Sequence, residues 1–141
     1  MTPIRRSLVL SVIVAVALAA CGEGVPTASP APSLAPRPSS PAAVAFVQPA
    51  QGSTVSGATI HVVLELTGAT IVPETTTTLR PDEGHVHLYV DNQLVSMNYG
   101  LEQDVPVTVG SHALKAEFVA ADHAPFNPRV WSDEIVFTVT E

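Results

Sequence analysis

The chain has 141 residues, a net charge of −7, 13 prolines, one cysteine and only 5% aromatic residues. Once non-globular segments are set aside, that length leaves room for one small domain. The acidic balance disfavours nucleic acid as a partner, because phosphates would be repelled rather than neutralised, and it is compatible with a cation ligand, with solubility or with no specific partner.

Arg5 and Arg6 precede an apolar run from Leu8 to Ala20. The run falls short of the ~20 apolar residues of a spanning helix and fits the hydrophobic region of a secretory leader. Loss of that leader makes the charge two units more negative. The run closes in Leu18-Ala19-Ala20-Cys21, which resembles the bacterial lipoprotein signal. The resemblance implies removal of residues 1–20, lipid on the Cys21 sulfur and an acylated amino terminus. It places the protein on the cell membrane or outer membrane, with its domain on the extracytoplasmic side. Residue 22 is Gly rather than Asp, so the inner-membrane retention signal of that family is missing. With Cys21 lipidated, no thiol is left, which excludes disulfides, zinc–thiolate sites and a cysteine nucleophile. Several acyl chains give the stable anchoring that one cannot.

Residues 21–43 are rich in Pro, Ala and Ser, with Pro26, Pro30, Pro32, Pro36, Pro38 and Pro41 punctuating them. Repeated proline favours extended polyproline II segments, so the stretch reads as a stalk reaching on the order of 60 Å. Read without a length requirement, it is a disordered tether. Both readings put the domain at residues 44–141.

That domain reads as all-β. Short alternating runs come at regular spacing with turn signals between them, and no stretch has helical periodicity. Val44 to Gln48 is a first strand stopped by Pro49, and Ile60, Val62, Leu64 and Leu66 alternate in the second. His61 falls on the outer side of that strand. Residues 68–84 are irregular, with Thr75 to Thr78 bracketed by Pro73 and Pro81, and form an edge strand or a long loop. In the next strand Val86, Leu88 and Val90 alternate with His85, His87 and Tyr89, so one face is apolar and the other carries two histidines. Asp91-Asn92 suits a two-residue hairpin turn. That turn pairs Val90 with Gln93, Leu88 with Val95 and Val86 with Met97, which puts Met97 in the core. A strand over Val105 to Val109 comes next, then a turn at Gly110-Ser111-His112. Beyond it Leu114, Ala116 and Phe118 face in, and Lys115, Glu117 and Val119 face out. Asp122 to Pro128 is a loop, and Ile135, Phe137 and Val139 finish the domain. Strand number and pattern resemble an immunoglobulin-like or fibronectin-III-like Greek-key β-sandwich, without the antibody cysteines.

In that topology the third and sixth strands are antiparallel neighbours. The start of the His85–His87 strand then lies beside Asp122 and His123. Two histidines at i and i+2 sit about 7 Å apart along a strand, within reach of one ion. A third imidazole or a carboxylate would complete a Cu or Zn site, so the candidate ligands are His85, His87 and His123, with Asp122 in reserve. Gly84 to His87 is similar to the copper-binding strand of copper–zinc superoxide dismutases. The remaining ligands and the disulfide of that family are absent, so its activity is not implied. Gly-His-x-His-x-x-x-Asp and the later Asp-His-x-Pro resemble single-domain bacterial lipoproteins, which implies class and not mechanism. The alternative is that H-x-H is a solvated strand face, Asp122-His123 a loop clasp and His112 a turn residue bonded to a carbonyl. No nucleophile motif, phosphate loop or supported carboxylate pair points to catalysis. Three readings stay open: a tethered domain that binds Cu or Zn, a metal-free module for an envelope protein or glycan, and a metal-dependent enzyme.

Overall fold

The computed structural model describes residues 36–141. Cys21, the leader and the linker up to residue 35 lie outside the described residues. From there the chain forms β1 (Ala43–Gln48), β2 (Thr54–Ser56), β3 (Thr59–Thr67), β4 (Thr70–Ile71) and β5 (Glu83–Val90). It continues through β6 (Gln93–Ser96), β7 (Glu102–Pro106), β8 (Gly110–Ala120), β9 (Pro125–Trp131) and β10 (Ile135–Thr140).

One sheet has the order β1-β3-β7 and the other β2-β10-β8-β5-β4, with β6 added to β5 and β9 to β8. Pairing is antiparallel except for the short contacts β2–β10 and β4–β5. This is the expected Greek-key, immunoglobulin-like β-sandwich. Period-2 alternation builds its core. Ile60, Val62 and Leu64 of β3 face Val86 and Leu88 of β5, Leu114, Ala116 and Phe118 of β8, and Phe137 and Val139 of β10. Each of the Val, Leu, Ile and Phe side chains contributes roughly 1.5–3 kcal/mol on burial.

Three departures from the alternation shape the region around β5. The Asp91-Asn92 turn forms in left-handed geometry, with φ of 50° and 64°. Val90 pairs with Gln93 and Tyr89 with Leu94, but Leu88 then pairs with Ser96 across a bulge. The extra residue reverses the parity of the residues after it. Met97 is therefore 52% exposed rather than in the core, and Val95 is exposed with it. A short edge strand ending at Ser96 has no further neighbour to hold the other register.

The second departure is β9, which begins inside the stretch read as a loop. Its prolines are tolerated because it lies at an edge, paired with β8. The Asn127 N–H donates instead to Pro38 O at 2.9 Å. The third concerns Glu117 and Val119. They face outward from β8 as expected, yet both are buried; Arg129 of β9 and Tyr89 of β5 bond the Glu117 carboxylate there.

Candidate functional site

The site grows from the pairing of β5 with β8, which sets Gly84 opposite Ala120, His85 opposite Val119 and His87 opposite Glu117. Gly84 permits this approach. A Cβ there would lie 2.0 Å from Val119 O and 2.9 Å from the Phe118 ring. Beyond Ala120 the chain turns tightly. The His123 N–H donates to Ala120 O (2.8 Å) and the Ala120 N–H to Ala124 O (3.0 Å). His123 sits at φ 61°, a left-handed conformation that a non-glycine residue holds only under constraint. Its ring packs back over the outer face of β5.

Three imidazoles meet there. The rings of His85 and His123 stack at 4.3 Å between centroids, and those of His87 and His123 at 5.5 Å. His87 Nε2 and His123 Nδ1 are 3.2 Å apart, so one donates its N–H to the other. His123 Nε2 lies 3.2 Å from Thr75 Oγ1. His85 Nε2 donates to Ala121 O at 3.2 Å. Its other nitrogen, Nδ1, is buried without a well-aligned hydrogen bond, and the Val72 backbone lies near enough to the ring to favour its protonated form. Tyr99 closes the cluster edge-on to His85 at 4.9 Å. Thr76, whose N–H donates to Ala121 O, ties the loop after β4 across the same face.

These contacts overturn the view of H-x-H as a solvated face. His85 is 0% and His87 5% exposed. Desolvation is the main force lowering the basicity of both rings, and the neighbouring His123 lowers it further. The Ala121 carbonyl opposes this at His85, as the Glu117 carboxylate does at His87. Below His87, Glu117 is 1% exposed and accepts from Arg129 Nε and Nη2, both at 2.6 Å, and from the Tyr89 hydroxyl at 3.3 Å. Trp131 packs against this group, with the Arg129 guanidinium 4.5 Å from its ring centre and Lys115 Nζ 4.7 Å away. Burial first, and then Glu117, raises the Tyr89 pKa.

The fold thus brings His85, His87 and His123 together. Asp122 does not join them. Its carboxylate is taken by Arg37, with Nη1 on Oδ2 at 2.5 Å and Nη2 on Oδ1 at 2.9 Å, and that pairing holds its pKa low. Asp122 is therefore dropped as a ligand. Among the described residues, no group of three or more His, Cys, Asp or Glu side chains stands arranged around a common metal position. His112, at the opposite end of β8, bonds a carbonyl as expected (Nε2 to Thr108 O, 2.8 Å) and also Asp91 (Nδ1 to Oδ2, 2.7 Å). Both partners accept, so both ring nitrogens donate, and the Asp91 bond raises the His112 pKa. His61 is an exposed strand histidine beside Asp104. Thr75 lies in the irregular segment 68–84 that the sequence offers as a candidate wall for the histidines, whereas nothing in the sequence marks Arg37 as a neighbour of the cluster. The pairing of Glu117 with Arg129 is hidden as well, because the prolines of β9 read as a loop.

No protein-family model matches the chain, and no curated protein matches it. Two solved structures are similar in part. The endo-β-1,4-mannanase from Thermotoga petrophila aligns at 15% identity over 71% of this chain, with a TM-score of 0.45, and the match spans 20% of the mannanase's length. The fibronectin(III)-like modules of Clostridium thermocellum CbhA align at 12% identity over 68% of this chain and 92% of theirs, with a TM-score of 0.38.

Proposed function

We propose that the protein is a lipid-tethered domain of the cell envelope that binds one Cu(II) or Zn(II) ion through His87 and His123, with His85 as the third imidazole of the cluster. One observation carries the reading: His87 Nε2 and His123 Nδ1 are 3.2 Å apart. Two nitrogens bound to one ion at ~2.0–2.1 Å with near-tetrahedral geometry stand about 3.3 Å apart. For the ion to bind, the ring that donates in the metal-free pair carries its N–H on its other nitrogen instead, which leaves both facing lone pairs for the ion. Burial supports this, because it favours the neutral imidazoles that ligate. Solvent fills the remaining coordination positions. Lipid at Cys21 and an extracytoplasmic domain are both supported by the Leu-Ala-Ala-Cys signal. The role is binding and not catalysis. The imidazoles bond to one another, to a backbone carbonyl and to Thr75, an arrangement that holds rings in place. Calorimetric titration of the full chain in detergent with Cu(II) and Zn(II) at neutral pH tests this. The expected result is one saturable site, abolished by His87→Ala and by His123→Ala. Undiminished binding in both variants refutes it.

A second reading is a metal-free interaction module for an envelope protein or glycan. Leu94, Val95, Met97 and Tyr99 are all exposed, and a groove of about 630 Å³ lined by Leu66, Ile71, Tyr99 and Leu101 opens beside them. Capture from envelope extract that survives both chelator and the histidine substitutions favours this reading. Capture lost with either favours the first.

A further inference from the structure

We infer that Arg37, which the sequence places in the linker, is a positioning residue for His123 and ties the root of the tether to the imidazole cluster. The inference rests on the metal-binding reading above. Arg37 spends four of its five N–H donors on the residues that flank His123. Nη1 and Nη2 hold the Asp122 carboxylate at 2.5 and 2.9 Å, Nη2 also donates to Ala124 O at 2.8 Å, and Nε donates to Pro125 O at 2.9 Å. Asp122 Oδ1 accepts in turn from the Ala124 N–H at 3.1 Å. Next to Arg37, Pro38 O accepts from the Asn127 N–H at 2.9 Å, so the strap is gripped at two points.

His123 needs such a grip. Its left-handed φ of 61° relaxes unless the surroundings over-determine it. The turn supplies only two backbone bonds of its own, Ala120 N–H to Ala124 O and His123 N–H to Ala120 O. One planar guanidinium closes the rest, which a lysine cannot reproduce because it lacks the fork. Arg37 touches none of the imidazoles. It acts through Asp122 and the loop backbone, as outer partners of a ligand do. The pair is partly exposed on both sides, so its loss should shift the unfolding temperature by only a few degrees.

The test uses the full chain in detergent and Cu(II) alone as the probe. Arg37→Gln and Arg37→Lys should each lower Cu(II) affinity by about 10-fold or more, with near-wild-type unfolding temperatures. Asp122→Asn should do the same, and the double variant Arg37→Gln/Asp122→Asn should lose no more than either alone. In metal-free protein, amide exchange at His123 and Ala124 should quicken in Arg37→Gln while Thr138 of β10 exchanges at its wild-type rate. Unchanged Cu(II) affinity overturns the inference, and so does unchanged exchange at His123 and Ala124. If the wild-type chain takes up no Cu(II), the reading of the site falls by itself, and the exchange measurement decides whether Arg37 fixes the loop.

Discussion

Replacing Gly84 by alanine tests whether the close contact of β5 and β8 builds the site. The added methyl would lie 2.0 Å from Val119 O, 3.0 Å from Val119 C and 2.9 Å from the tip of Phe118. Phe118 is fully buried, and Val119 O belongs to a strand held on both sides, so neither yields cheaply. The strands must part where Gly84 opposes Ala120. Overpacking of this kind costs about 1–3 kcal/mol. Lost ladder hydrogen bonds add about 1 kcal/mol, and the stiffer unfolded chain returns about 0.4–1 kcal/mol. The net is a loss of about 1–3 kcal/mol. At roughly 4–8 °C per kcal/mol for a domain near 100 residues, the unfolding midpoint should drop by about 5–20 °C. Circular dichroism melts read this directly. Ring resonances of His85 should shift as well, because that residue is next in the chain to the displaced one. An alanine variant that melts within about 2 °C of wild type, with unmoved His85 signals, would refute the steric argument.

The same contacts set the outcome of other perturbations. Arg129→Ala strips two of the three hydrogen bonds from the buried Glu117 carboxylate. Arg129 is half-exposed, so water offsets part of the loss, and urea unfolding should report about 2–3 kcal/mol. Met97→Gln should change stability by no more than about 0.5 kcal/mol in the same assay, where a core methionine would cost several times more. Two titrations of opposite sign shape the pH profile of the metal-free protein. His85 and His87 bind protons more weakly when folded, so stability should fall as pH drops below the ordinary histidine value of about 6.5. His112 binds its proton more tightly when folded, so its contribution is complete below about 6.5 and fades as pH rises through its raised value. Urea midpoints between about pH 5 and 8 should show both limbs, and His112→Gln should remove the alkaline one alone.

The sandwich is legible in the sequence because its strands alternate cleanly. Ile60, Val62 and Leu64, or Phe137 and Val139, announce one buried face each, and the core contains them all. The meeting of the three histidines is legible for the same reason. Parity puts His85 and His87 on one face, and the topology of third and sixth strands puts His123 beside them. Features that alternation does not encode are lost. The bulge opposite Leu88 depends on an edge strand having no outer neighbour, and it turns Met97 out to solvent. The burial of His85 and His87 goes with the loop residues His123, Thr75 and Tyr99 that gather on the outer face, and loops carry no period. Prolines hide β9, and with it the partner of Glu117. Arg37 reads as one more linker residue, although it binds Asp122 85 positions away.

Whether His87 and His123 share one ion decides the functional reading. Electron paramagnetic resonance of the full chain with one equivalent of Cu(II) at neutral pH tests it most directly. The expected spectrum is a single Cu(II) species with hyperfine splitting from at least two imidazole nitrogens, and that species should be lost in His123→Ala. A spectrum of free or heterogeneous surface copper, or a nitrogen signal that persists unchanged in His123→Ala, would contradict a shared site.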